Sequence, residues 1–364
     1  KTLPEGIHAS AFRLFFPNLY LKKQFIMRRS AYIHSVSAVM GLAFSLLLAA
    51  CSFVHEVLPP CEHYLHFVYD YNMKFADAWQ HEADQVSLFI FDEEGNYLKE
   101  MNISAEEARR NNILLDLQPG TYQILAWTGL NSDDYLCLAP ADRTNSRIKD
   151  YSVRMNAEAQ NVDRDLVPLF YGMQTVTIPD AATSDIRFPL MKDTNTFRLI
   201  IQADANNTSS SVPSDEFEFS ITDNNALLAY NNTVVTEELP LTYSPYYLGD
   251  GDIHDSEGNV VLTTTCAELN TNRLIYGTHP RLTIRHKTTG KVWLNVDLIE
   301  YIMLMPTEGS LDKMLDREHP QQEYLDREDE YVIVFFFTQS SNGNMINVRI
   351  TINGWTVRIN NIEM

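Results

Sequence analysis

Two Asn-Gly dipeptides, Asn342-Gly343 and Asn353-Gly354, constrain this chain most, because each sits between runs of alternating apolar residues. Asn-Gly tolerates the positive φ angles of a two-residue type I′ turn, whose twist matches that of paired strands. With such a turn at Asn353-Gly354, Ile352 pairs with Trp355, Ile350 with Val357 and Val348 with Ile359. A turn at Asn342-Gly343 pairs Phe337 with Val348, Phe335 with Ile350 and Ile333 with Ile352. Both registers put these apolar residues on one face of a three-stranded meander and send Asn347, Arg349, Thr351, Thr356 and Arg358 to the other. A slip of one residue would invert either assignment, so the agreement of two turns predicts an antiparallel sheet lying on a core. The first strand, VIVFFF at residues 332–337, is apolar on both faces and is expected to be covered on both.

The same pattern runs back to Tyr64. Short runs rich in Val, Ile, Phe, Tyr and Thr are separated by turn clusters, and sustained helical periodicity is nearly absent. Val86–Phe91 leads into Asp92-Glu93-Glu94-Gly95-Asn96, a hairpin loop with its glycine late in the turn, and then into Tyr97-Leu98. Residues 114–117 end at the turn dipeptide Pro119-Gly120, after which residues 121–127 resume a strand. One short helix is expected after Ser104, with Ser104 capping it and Glu107 completing a capping box. Apolar segments at 166–171, 175–178 and 186–190 come before a boundary placed at residues 189–193, and residues 196–202 open a new set of strands. The polar tract 204–214 reads as a solvated loop. No clear internal repeat emerges, and two β-sandwiches of similar size are the architecture this pattern suggests.

At 364 residues the chain fits two ordinary domains, and 45% hydrophobic content gives each a core to bury. A net charge of −20 repels phosphate backbones and argues against nucleic acid as a partner. That charge is unevenly spread: the first fifty residues hold six bases and one acid. Within them, Met27-Arg28-Arg29 provides a start residue and a positive segment, and residues 38–50, AVMGLAFSLLLAA, provide an apolar run of 13 residues. A helix needs roughly 20 to cross a bilayer. The run ends in Leu48-Ala49-Ala50-Cys51, which looks like the lipobox of a bacterial lipoprotein signal peptide. Residues 27–50 are therefore expected to be removed by cleavage between Ala50 and Cys51, with Cys51 carrying the lipid. Residues 1–26 read as an upstream extension from a start codon placed too early. A real N-terminal extension is the alternative.

No catalytic constellation is apparent. There is no GxSxG elbow, GxGxxG turn, GxxxxGK[ST] loop or HExxH helix. His63 and His66 are three apart, a spacing that sends them to opposite faces of a strand, which argues against a shared metal. Asp250, Asp252 and Asp255 surround Gly251 in what reads as an acidic surface loop, without EF-hand spacing. Cys61, Cys137 and Cys266 allow one disulfide at most, and sequence does not choose the pair. Trp79, Trp127, Trp293 and Trp355 could offer sugar-stacking faces, but core packing is expected for at least three.

Four separated segments carry a resemblance. FVYDYNMKFADAW (67–79) is followed by SLFIFDEEGNYL (87–98); then come LDLQPGTYQILAWTGL (115–130), QEYLDREDEYVIVFFF (322–337) and the ending INGWTVRINNIEM. Together, behind a lipobox, they resemble the FimB-like family of fimbrial anchor lipoproteins, the base subunits of type V fimbriae on Gram-negative outer membranes. The resemblance implies an all-β chain of two tandem transthyretin-like (Greek-key) β-sandwich domains, 51–190 and 191–364. It also implies outer-membrane attachment through Cys51, a stalk subunit as partner, a role in limiting fimbrial length, and neither enzymatic activity nor a cofactor. Only Cys51 carries over as a functional residue; Asp70, Asn72 and Asp326 look structural. The region just behind Cys51 holds one acid, Glu56, so the acidic signal for surface export is weak. The alternative function is that of a surface polysaccharide-binding lipoprotein. An exposed aromatic platform, for example at Tyr246-Tyr247, would favour it, whereas an open sheet edge accepting a partner strand would favour the anchor.

Overall fold

The computed structural model describes residues 61–180, 182–203, 211–236, 238–254, 256–304, 311–339, 345–353 and 355–357. In it the meander forms on the expected partners. Strands β20 (Glu330–Gln339) and β21 (Met345–Ile352) set Ile333 opposite Ile352 and Phe335 opposite Ile350. Strand β22 (Trp355–Val357) sets Trp355 opposite Ile352 and Val357 opposite Ile350. Asn353 has φ +43°, the left-handed conformation that a type I′ turn requires. One expected pair is corrected: the register shifts between Phe336 and Phe337, so Phe337 faces Asn347 rather than Val348. A bulge opposes two residues to one, and turn chemistry alone does not reveal it. Ile359 and the Asn342-Gly343 turn lie outside the described residues.

The expectation that β20 is covered on both faces is also corrected. Ile333, Phe335 and Phe337 are fully buried, whereas Val332 is exposed and Val334 and Phe336 are half-buried. The Arg349 guanidinium lies 3.7 Å from the centroid of the Phe336 ring, so a cation covers the outer aromatic where a second layer was expected.

β20 belongs to a six-stranded sheet in the order β16 (Tyr247–His254), β17 (Val260–Thr271), β12 (Asn195–Ala203), β20, β21, β22. Its partner layer runs β19 (Val292–Asp297), β18 (Arg281–His286), β13 (Phe217–Asp223), β15 (Leu241–Tyr243), β8 (Asn161–Val162). Phe197, Leu199, Ile201, Ile221, Ile284 and Phe335 fill the space between them. Asp250 and Asp252, expected in a loop, lie in β16. Gly251 between them is required by close packing with the neighbouring strand: a Cβ there would lie 2.7 Å from Thr264 Oγ1.

The other sandwich packs β10 (Ser184–Pro189), β1 (His63–Val68) and β4 (Ile113–Leu114) against a five-stranded layer. That layer is ordered β11 (Met191–Lys192), β9 (Phe170–Ile178), β5 (Gly120–Thr128), β2 (Val86–Phe91), β3 (Tyr97–Ile103). Leu65, Phe67, Leu88, Ile90, Ile124 and Phe188 form its core, together with Trp79 of helix α1 (Trp79–Glu82). The opposite face of β2 and β5 is buried too. Phe89, Phe91, Leu125 and Trp127 join Tyr151 and, from a third sheet region of β14 (Leu227–Ala229), β7 (Ser152–Met155) and β6 (Tyr135–Leu138), Tyr135 and Val153. Every residue of β2 is therefore buried, which is why it reads as a continuous apolar run. The halves interlock: β8 extends the β13 sheet, and β14 pairs with β7. Trp79, Trp127 and Trp293 are all buried, as core packing requires.

Helix α2 (Ala105–Arg110) carries the expected capping box, with Glu107 N donating to Ser104 Oγ and Ser104 N donating to Glu107 Oε2. Two further helices, α3 (Leu298–Ile302) and α4 (Pro320–Arg327), lie in the second half.

Candidate functional site

Ala50 and Cys51, the predicted cleavage and lipidation residues, lie outside the described residues, as does the whole of Lys1–Pro60. Cys61, the first described residue, is an exposed free thiol, and Cys137 and Cys266 are also free. Burial pushes the Cys137 thiol up to about 11, out of the reactive range at neutral pH.

Two of the signature segments, far apart in sequence, meet at one place. After β1, Asn72 ties a tight turn: its Nδ2 donates to Tyr69 O and Ala76 O, and its Oδ1 accepts from Lys74 N. Asp77 Oδ1 accepts from the backbones of Tyr69 and Trp79. Against this turn lies α4, started by Pro320 at its first position. Arg327, 4% exposed, donates from Nε to Glu323 Oε1 at 2.6 Å and from Nη1 to Asp70 O and Asn72 O at 3.2 and 3.4 Å. Its guanidinium lies 4.1 Å from the Tyr71 ring centroid and 4.5 Å from that of Phe75. One residue back, Asp326 receives two parallel hydrogen bonds from Arg273, at 2.8 and 2.7 Å. Asp70, Asn72 and Asp326 are thus structural, as expected, and the residue at the centre is Arg327, which sequence reading did not single out. A cleft of about 550 Å³ opens beside it, lined by Phe75, Leu315, Asp316 and the Asp70–Arg187 ion pair.

Next to this junction, Asp193 is 1% exposed and its carboxyl is pushed up to about 7 by burial. Asn232 Nδ2 donates to Asp193 Oδ1 at 2.8 Å, while Asp193 Oδ2 and Asn232 Oδ1 find no partner among the described residues. Burial raises Asp223 to about 6 and Glu328 to about 7 in the same way. A carboxyl raised in the folded state binds its proton more tightly there than in the unfolded chain. Its contribution is fully present below the ordinary value near 4 and is lost as pH rises through the folded value. Unfolding free energy is therefore expected to fall between about pH 4 and pH 7, one such proton giving a slope of about 1.4 kcal/mol per pH unit. Urea titrations at pH 4.5, 6 and 8 measure this. Asp193→Asn should flatten the slope, and an unchanged slope would remove Asp193 as a cause.

An unfinished strand edge lies in the second sandwich. β13 pairs with β18 along residues 217–222, but on its other side β15 covers only Ile221, Thr222 and Asp223. The chain leaves β15 at Ser244-Pro245. Ser244 N donates to Val162 O, and Tyr246 N donates to Glu268 O in the opposite sheet. Pro245 has no N–H to continue the ladder, so it ends the pairing there. Among the described residues, no strand pairs with residues 217–220 on that side, and a groove of about 450 Å³ remains between them and Pro245 and Leu248.

The other candidates have structural roles. His63 is buried and bonded to Ser184, whereas His66 is half-buried and faces Asn111 and Asp185, so alternation does separate the two. His279, Asp297 and Glu300 bring three ligand atoms within 4.8 Å of one another. Asp297 is already committed, with Oδ1 accepting from Glu300 N to cap α3 and Oδ2 held 2.6 Å from His279 Nδ1. At the proposed aromatic platform, Tyr247 is half exposed while the Tyr246 hydroxyl turns to Glu268. No helix among the described residues is long and apolar enough to cross a membrane.

The family profile of fimbrillin-A associated anchor proteins Mfa1 and Mfa2 matches residues 58–361. No curated relative matches the chain in sequence. A proposed adhesin from Bacteroides thetaiotaomicron VPI-5482 has a similar structure: 32% identity over 83% of this chain and 100% of that one, TM-score 0.71. A proposed polysaccharide-binding protein from the same organism is similar at 28% identity over 82% of this chain and 98% of that one, TM-score 0.69. The fimbrial anchor protein Mfa2 of Porphyromonas gingivalis shares the fold at 17% identity, over 82% and 99% of the two chains, TM-score 0.59. With a profile match spanning nearly all of the described residues, this chain belongs to the family of fimbrillin-A associated anchor proteins Mfa1 and Mfa2.

Proposed function

We propose that this protein is a non-enzymatic fimbrial anchor subunit, tethered to the outer membrane by lipid on Cys51, that attaches the fimbrial stalk to the cell surface and limits its length. The observation that carries the reading is family membership across residues 58–361 on a fold with an unfinished strand edge. The stalk is held by strand addition: main-chain hydrogen bonds give strength, and pockets for alternate side chains give specificity. The division of the mature chain into domains 51–190 and 191–364 is placed at the gap between β10, which ends at Pro189, and β12, which starts at Asn195, with β8 and β11 each crossing it to pair with the other half. Deleting the gene is expected to release fimbriae into the medium and to change their length, measured by electron microscopy and by immunoblotting of the culture supernatant. Cell-attached fimbriae of normal length in the deletion strain would overturn the reading.

A surface polysaccharide-binding role is the second reading, motivated by the description of the 28% identical relative. It needs open aromatic faces. Phe75 and Tyr247 are partly exposed, but the guanidinium of Arg327 lies against the rings of Tyr71 and Phe75 and the Tyr246 hydroxyl turns to Glu268, so the open edge of β13 is what favours the anchor.

A further inference from the structure

We infer that the groove beside residues 217–220 of β13 receives an extended, acidic segment of a partner polypeptide, drawn in by Arg285 and Lys287. The inference rests on the strand-addition reading and gives it a place and a chemistry. A row of unpaired backbone N–H and C=O groups on a strand edge is matched by another extended backbone and by neither a helix nor a saccharide. Residues 217–220 present such a row because Pro245 cannot extend β15 alongside them. Four extended residues span roughly 14 Å, so the acceptor suits a short strand.

Charge selects the occupant. The protein carries a net charge of −20, and most of its described arginines sit beside carboxylates, as Arg198 does with Glu268 and Arg273 with Asp326. Arg285 and Lys287 line the groove, are exposed, and enter no ion pair among the described residues. Arg285 is in register with Glu218 across the ladder, yet its guanidinium donates to Gly290 O. Arg285 and Lys287 reach the groove from the β18 side, across Glu218, and these two cations outside any described ion pair favour a strand that sets an acidic residue toward them and an apolar residue against Pro245 and Leu248. A second copy of this acidic chain is repelled at long range, so it is the weaker candidate.

The test uses the full chain and two fluorescently labelled eight-residue peptides of alternating Val and Thr, one with two Asp substitutions and one with two Lys. Anisotropy is expected to show binding of the Asp peptide and none of the Lys peptide. In the double variant Arg285→Glu, Lys287→Glu the Asp peptide should bind roughly tenfold more weakly or worse, and the Lys peptide should gain affinity. Both side chains are exposed, so the variant is expected to melt at the wild-type temperature. Equal binding of the two peptides, or Asp-peptide affinity unmoved in the variant, overturns the proposal. So does concentration-dependent dimerisation abolished in the variant without peptide binding, which would make the occupant a second copy. Capture of sheared fimbriae by the immobilised chain separates the two levels. Equal capture by wild type and variant overturns this groove and leaves the anchor intact, whereas no capture by wild type overturns the anchor reading itself.

Discussion

Cells producing the Cys51→Ala variant are expected to incorporate no labelled fatty acid into this protein and to release it from the membrane fraction. On the proposed reading the thiol of Cys51 accepts diacylglycerol at a lipobox, and alanine offers no nucleophile in its place. Each CH2 of an acyl chain buried in a bilayer contributes about 0.8 kcal/mol, and two or more chains hold a protein stably where one does so only marginally. No described helix is long and apolar enough to span a membrane. The expected change is therefore nearly complete, from membrane-bound to soluble. Metabolic labelling with a fatty acid followed by fractionation reads both halves of the prediction. Label retained in the variant would refute the lipoprotein assignment, whereas loss of label with the protein still on the membrane would point to a second attachment.

What could be read in advance divides along a physical line. The meander, the Asp92 to Asn96 hairpin and the cap on α2 were legible because turns and caps are local: Asn-Gly, a late glycine and a Ser–Glu pair act within a few residues. The bulge at Phe336 was not, because a register slip depends on how two strands share their twist. β16 was misread as a loop because Gly251 answers a contact with Thr264 of the neighbouring strand. α4 escaped notice for another reason. Glu323, Tyr324, Leu325, Asp326 and Arg327 are all buried in succession, so no polar face alternates with an apolar one and the period of 3.6 residues vanishes. The unfinished edge of β13 did leave a trace in the sequence, the proline directly after Leu241–Tyr243 and Ser244, but its meaning depends on which strand lies beside it.

Arg327→Ala is expected to lower the unfolding free energy by roughly 3–5 kcal/mol, the cost of breaking a buried ion pair from one side. Glu323 is 2% exposed, and without Arg327 its carboxylate is left with a single donor, the Asp316 backbone N–H. The same change strips two hydrogen bonds from the carbonyls of Asp70 and Asn72 and uncovers the rings of Tyr71 and Phe75. These two costs can be separated. If the stranded charge dominates, replacing both partners with apolar residues of similar size, Arg327→Met with Glu323→Leu, should recover most of the stability, because that exchange removes both desolvation penalties at once. If the clamp on the turn after β1 dominates, the double variant should stay as unstable as the single one, since methionine offers no donor to the Asp70 and Asn72 carbonyls. Phe75 bears on the choice: it is a bulky residue held at φ +52°, a backbone conformation tolerated only where the surroundings enforce it. That strain depends on the grip of Arg327 on this turn, so we expect recovery in the double variant to be partial. Chemical denaturation of wild type, both single variants and the double variant gives the coupling energy directly. A coupling near zero would mean that the convergence of the two signature segments at Arg327 is not what holds this junction together.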